Sequence, residues 1–178
     1  MRLVKSGRIV EDRFVRWLEE GPLPERTAVI VPHERLLADP GLLGRAAPTG
    51  VAWPNDRDVS ELAPFVDRLA LIALRFPVFR DGRAYSQARI LREQHGFDGE
   101  LRATGQVLRD QFLFMLRAGF DAFEVTKEAD AAAFAETVRR YSVFYQPTGD
   151  GRPTVQHARS ERADGNVNPV AEPALQGR

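Results

Sequence analysis

Between an apolar stretch, LALIALRF (69–76), and a run of helical periodicity starting near Tyr85 lies the segment FRDGRAYS. Arg80 and Arg83 bring guanidinium forks there, and a helix start brings free backbone N–H groups; together these make a receptor for an oxyanion. Asp81 and Gly82 supply the turn, while Tyr85 and Ser86 add hydroxyls. Further on, Arg102 sits inside ELRA (100–103), between Leu101 and Ala103. A charge in a buried strand is costly unless paired, so Arg102 requires either a carboxylate or a ligand. Glu100, Asp81 and Asp110 are the candidate carboxylates. Gln111 leans toward the stripe of Val107, Leu108, Phe112 and Met115, where a polar group needs a partner from a neighbouring loop or a ligand. Arg80, Asp81, Arg83, Tyr85, Ser86, Arg102 and Gln111 therefore form an expected oxyanion site for sulfite, sulfate or a phosphate group. The competing expectation is a salt-bridge network in which Asp81, Glu100 and Asp110 neutralise the same arginines.

Other chemistries lack their signatures. Without cysteine there is no disulfide, thiolate nucleophile or cysteine-ligated cluster. His33, His95 and His157 are isolated, and no H-x-H or H-E-x-x-H spacing occurs. Neither GxGxxG nor GxxxxGK[ST] is present. Asn55, Asp56 and Asp58 do not follow EF-hand spacing, and Asp58 with Glu61 reads as a capping box. No metal site is expected. The formal net charge is zero, which argues against a general electrostatic grip on nucleic acid or on an anionic membrane. The longest apolar run, Leu69 to Leu74, is too short to span a bilayer, and MRLVKSGRIVED carries no apolar leader core. A cytoplasmic protein is expected.

The elements that must position these residues follow from periodicity. RLVKSGRIV (2–10) reads as a hairpin around Ser6-Gly7 and 14–18 as a short amphipathic turn, giving an N-terminal unit over residues 1–24. TAVIVP (27–32) is a buried strand, GVAW (50–53) a weaker one, and a helix runs from Asp58 to about Arg68. Strands at 69–76, 100–103 and 122–125 alternate with helices at 85–95, 106–118 and 129–140, and a last strand is expected at 142–146. This rhythm predicts an α/β domain over 25–146, a mostly parallel sheet of βα units forming an open sheet or a partial barrel. Residues 147–178, rich in Gly, Pro, Arg and Asn, read as a disordered or extended tail. In such folds ligands bind at the carboxyl ends of the strands, which is where FRDGRAYS, TGQ and TKE fall. About five parallel strands cannot close a barrel, so an open apolar edge points to a homodimer.

The block FPVFRDGRAYSQARILREQHGFDGELRATGQVLRDQFLFMLRAGFDAFEV resembles a bacterial family of unknown function whose members are described as oxidoreductases of sulfite reduction. The resemblance spans roughly residues 25–145. It implies a link to assimilatory sulfite reduction and fixes neither a mechanism nor catalytic residues. The residues themselves offer no redox group, and the cofactor is left open, a flavin being compatible with an α/β rim that has no short motif. Three functional expectations stand together. One is an accessory protein acting with sulfite reductase. The second is a small enzyme or binding protein with an arginine-lined oxyanion site. The third is a structural subunit docking on a larger complex.

Overall fold

A computed structural model describes residues 1–18, 21–127, 129–140, 144, 145, 148 and 154–163. Eight strands form one sheet: β1 (Arg2–Lys5), β2 (Arg8–Val10), β3 (Phe14–Arg16), β4 (Ala28–Pro32), β5 (Thr49–Trp53), β6 (Leu71–Phe76), β7 (Glu100–Gly105) and β8 (Ala122–Val125). Their order is β2-β1-β8-β7-β6-β5-β4-β3. β3 to β8 run parallel in chain order, and β1 pairs antiparallel with both β8 and β2. The expected α/β class, the parallel order of 69–76, 100–103 and 122–125, and the hairpin on the sheet edge are all present. Positive φ at both Ser6 and Gly7 (50° and 74°) makes the tight hairpin turn.

Two local readings need correction. Residues 14–16 are a strand rather than part of an amphipathic turn: Phe14 buries one face while Val15 stays exposed, the two-residue alternation of a strand. The capping box is only half made. Asp58 accepts a hydrogen bond from Ser60 N at 2.9 Å, but the Glu61 carboxylate pairs with Arg57 instead of reaching back. The segment that follows, Val59–Arg68, is a 3-10 helix carrying Pro64 inside it.

The α-helices are α1 (His33–Ala38), α2 (Arg83–Arg89), α3 (Phe112–Arg117), α4 (Ala129–Arg140) and α5 (Val155–Ala163); a π-helical turn, Ile90–Gln94, extends α2. Gly96 and Gly119, at φ 62° and 106°, stop the helices where the sequence places their ends. The helix expected at 106–118 begins late, with 3-10 geometry at Arg109–Gln111, because Gly105 at φ 87° turns the chain away first. Within the tail, Val155–Ala163 is helical, its first turn capped by the Thr154 hydroxyl accepting from His157 N. The rest of the tail except Thr148 and Thr154, and all of 142–146 except Phe144 and Tyr145, lies outside the described residues.

The sheet is strongly curled. β3 and β8 stand five strand spacings apart, about 24 Å in a flat sheet. Yet Arg16 on β3 and Glu124 on β8 meet at 2.7 Å. The two edge strands, β2 and β3, are tied by Glu11, Asp12 and Arg13 alone, four residue steps that span at most about 14 Å. The result is a half-barrel with a convex face and a concave one. The convex face (Val31, Val51, Ile72, Leu74, Leu101, Ala103, Phe123) packs on helical residues including Leu36, Ala84, Leu91, Phe112 and Phe134. The concave face holds Phe14, Ile30, Leu71 and Ala73 in a second, smaller apolar cluster. The β8 edge of the parallel strands is covered by β1.

Gly105 shows how tightly the strand ends are fitted. A Cβ built there would lie 2.4 Å from the Phe76 carbonyl oxygen, at a φ that side chains seldom adopt. Gly105→Ala should therefore cost about 1–3 kcal/mol of stability, read from urea midpoints. A change below a few tenths would contradict this close approach.

Candidate ligand site at the strand-end mouth

The structure separates the residues expected to converge. Arg102 and Thr104 alternate with Leu101 and Ala103, so they face the concave side, while Phe76 and Tyr85 pack together among the helices (ring centroids 5.2 Å). Arg102 is 0% exposed and every arm is paired. Its Nε donates to Glu100 at 2.7 Å; Nη1 and Nη2 grip Asp12 at 2.6 and 2.9 Å; Nη1 also reaches Glu124 at 3.3 Å. Lys5 completes Glu100 at 2.8 Å and Arg16 completes Glu124, so three cations face three carboxylates. Of the carboxylates expected to pair with Arg102, Glu100 does so and Asp81 and Asp110 do not; Asp12 comes from the β2–β3 connection and Glu124 from the neighbouring strand β8. Burial acts to raise the Asp12 carboxyl, but the Arg102 guanidinium, the Phe14 N–H and Arg16 outweigh it and hold it below its ordinary value.

The other expected site residues lie outside this network. Arg83 forks onto its neighbour Asp81 at 3.0 and 2.7 Å and holds that carboxyl well below the usual range; the pair is surface-exposed and adds little stability. Arg80 and Ser86 are exposed. Gln111 donates to the Phe79 carbonyl at 2.8 Å, and Gln106 accepts from Phe79 N at 3.1 Å, so two glutamines clamp the loop after β6 from the loop after β7. Tyr85 and Gln111 share a cleft on the helical side with Asp110, Phe114 and Arg117. Burial, helped by the charge of Asp110, pushes the Tyr85 phenol up to about 12, so it stays protonated at neutral pH.

A different group gathers at the carboxyl ends of the parallel strands. A cavity of about 500 Å³ opens on the concave face between Arg16, Pro32, His33, Ala52, Trp53, Ala73, Arg75, Thr104 and Glu124. The lower part of the concave face is filled by Ile30, Leu71 and Phe14. Toward the strand ends the inward positions are Ala52 and Ala73, where barrel interiors carry branched side chains. Those small residues leave the space. Arg16 is matched by Glu124, and His33 Nδ1 lies 2.9 Å from Glu34 Oε2, its ring edge-on to Trp53. Arg75 is exposed and has no ion-pair partner among the described residues. It is not among the expected site residues. The signal was the charge in LALIALRF itself, two positions after Ala73 and hence on the same strand face.

The curled parallel sheet defines an α/β half-barrel with a cavity at the strand ends, where such folds bind ligands. A family model described as "Bacterial protein of unknown function (DUF934)" matches residues 50–155. The chain belongs to this family. The matched stretch carries nearly all of β5, β6 to β8, Arg102 and most of the mouth. No curated protein matches the chain. Among the described residues, no helix is long and apolar enough to cross a membrane.

Proposed function

We propose that the protein is an anion-binding accessory protein of assimilatory sulfite reduction, with the strand-end mouth as its ligand site. The observation that carries the anion reading is Arg75: a guanidinium with no carboxylate partner among the described residues, bordering a cavity also lined by the Arg16–Glu124 pair. An unpaired cation beside an apolar wall favours an anion. The resemblance to proteins of sulfite reduction supplies the setting, and sulfite reductase is the partner it points to. A docking role draws support from Phe79, Leu108 and Phe114, large apolar side chains left exposed on the strand-end loops and α3.

Thermal unfolding in graded sulfite, sulfate and phosphate tests the site. The midpoint should rise with concentration as expected for a ligand bound to the native state. Arg75→Gln should remove the rise while leaving the unliganded midpoint unchanged, because the side chain is exposed and unpaired. A parent protein indifferent to all three anions and to organic sulfonates would end the anion reading. Absence of sulfite reductase from a pull-down with this chain as bait would end the partner reading separately.

A further inference from the structure

We infer that the mouth takes an organic monoanion, one oxyanion head on an apolar body of several carbons, in preference to a bare inorganic oxyanion; this rests on the anion-site reading above. The first ground is size. A cavity of about 500 Å³ belongs to the range that encloses small organic ligands, and a lone sulfite or phosphate would leave most of it to water. The second is the lining. The walls include Pro32, Ala52 and Pro54, Ala73 lies beneath them, and Leu18 stands exposed at the rim. Ala73 is covered by its neighbours in the sheet, and the half-buried Pro32, Ala52 and Pro54 give the pocket its accessible apolar surface. Water against such a surface gains few hydrogen bonds, whereas carbon atoms placed there leave water altogether.

The third ground is charge. Glu124 answers Arg16 and Arg102, whereas Arg75 has no carboxylate partner among the described residues. One cation calls for one negative charge. The Thr104 hydroxyl donates to the Leu74 carbonyl at 3.2 Å, which leaves its oxygen to the pocket as an acceptor only. A ligand hydroxyl or N–H on the body side of the head would suit it.

Titration calorimetry with a graded set of probes decides the matter: sulfite, sulfate and phosphate against methanesulfonate, butanesulfonate and benzenesulfonate. Butanesulfonate and benzenesulfonate should bind roughly tenfold or more tighter than methanesulfonate, as burial of added carbon requires. Arg75→Gln should weaken the whole series. Ala73→Leu, which fills the floor, should abolish the advantage of the longer sulfonates while leaving the response to sulfite; Ala52→Val serves the same purpose should Ala73→Leu fail to fold. Inorganic anions binding through Arg75 with no gain from the carbon body would overturn this inference and leave the anion site standing. Sulfonates binding with full affinity to Arg75→Gln, or with full chain-length advantage to the filled variant, would also overturn it. No response to any probe would remove both the inference and the site.

Discussion

Replacing Arg102 by methionine should lower the unfolding free energy at neutral pH by about 3–5 kcal/mol, because it leaves carboxylates uncompensated inside the half-barrel. Methionine fills much of the same volume, so the loss is electrostatic rather than a cavity effect. After the substitution Lys5 and Arg16 face Asp12, Glu100 and Glu124, two cations against three anions. The pH dependence then changes sign. In the parent protein the Asp12 carboxyl is held below its ordinary 3.8; its contribution is complete above that value and is lost as pH falls through the lower folded one. In the variant the crowded carboxylates are raised, so stability is lost as pH rises through them and recovers on mild acidification, toward about pH 5. Urea unfolding at neutral and mildly acidic pH measures both. A loss below about 1 kcal/mol at pH 7 without acid recovery would mean that the network does not exist in solution.

Phe134→Ala should cost a comparable amount, about 3–5 kcal/mol, for a different reason. Phe134, on α4, is 1% exposed and meets Phe123 of β8 and Phe112 of α3, with ring centroids 4.8 and 5.1 Å away. Phe112 and Phe123 close the triangle at 5.4 Å. The alanine forfeits both the buried area and the ring pairs that seat α4 against α3. Denaturant unfolding reads the loss, and a reduced slope would show that α4 has come away before the rest unfolds. Phe134→Leu should recover most of the stability. A near-neutral alanine variant would show that α4 does not dock through this ring.

The local architecture was legible because each strand and helix writes its own burial pattern. TAVIVP and LALIALRF are apolar on consecutive residues, as strands covered on both faces must be, and both are parallel strands of the curled sheet. Gly96 and Gly119 stop helices because only a residue without Cβ takes positive φ easily. The alternation in β3 went unread because three residues are too few to establish a period. The late start of the helix before Phe112 was hidden because Gly105 looks like an ordinary strand-end glycine until its φ is known.

The site was legible only in kind. That arginines would matter, that Arg102 must be paired, and that chemistry would collect at the strand ends all follow from the chain alone, since a buried charge needs a partner and strand-to-helix loops share one rim. Which residues meet could not follow, because partners such as Asp12 and Arg102, 90 positions apart, are joined by curvature rather than by spacing. The degree of curl is set by twist accumulated over eight strands and by the volumes of inward side chains, large at Ile30 and Leu71 and small at Ala52 and Ala73. That sum brings β3 across to β8, matches Arg16 with Glu124, and leaves Arg75 beside an open mouth without a carboxylate.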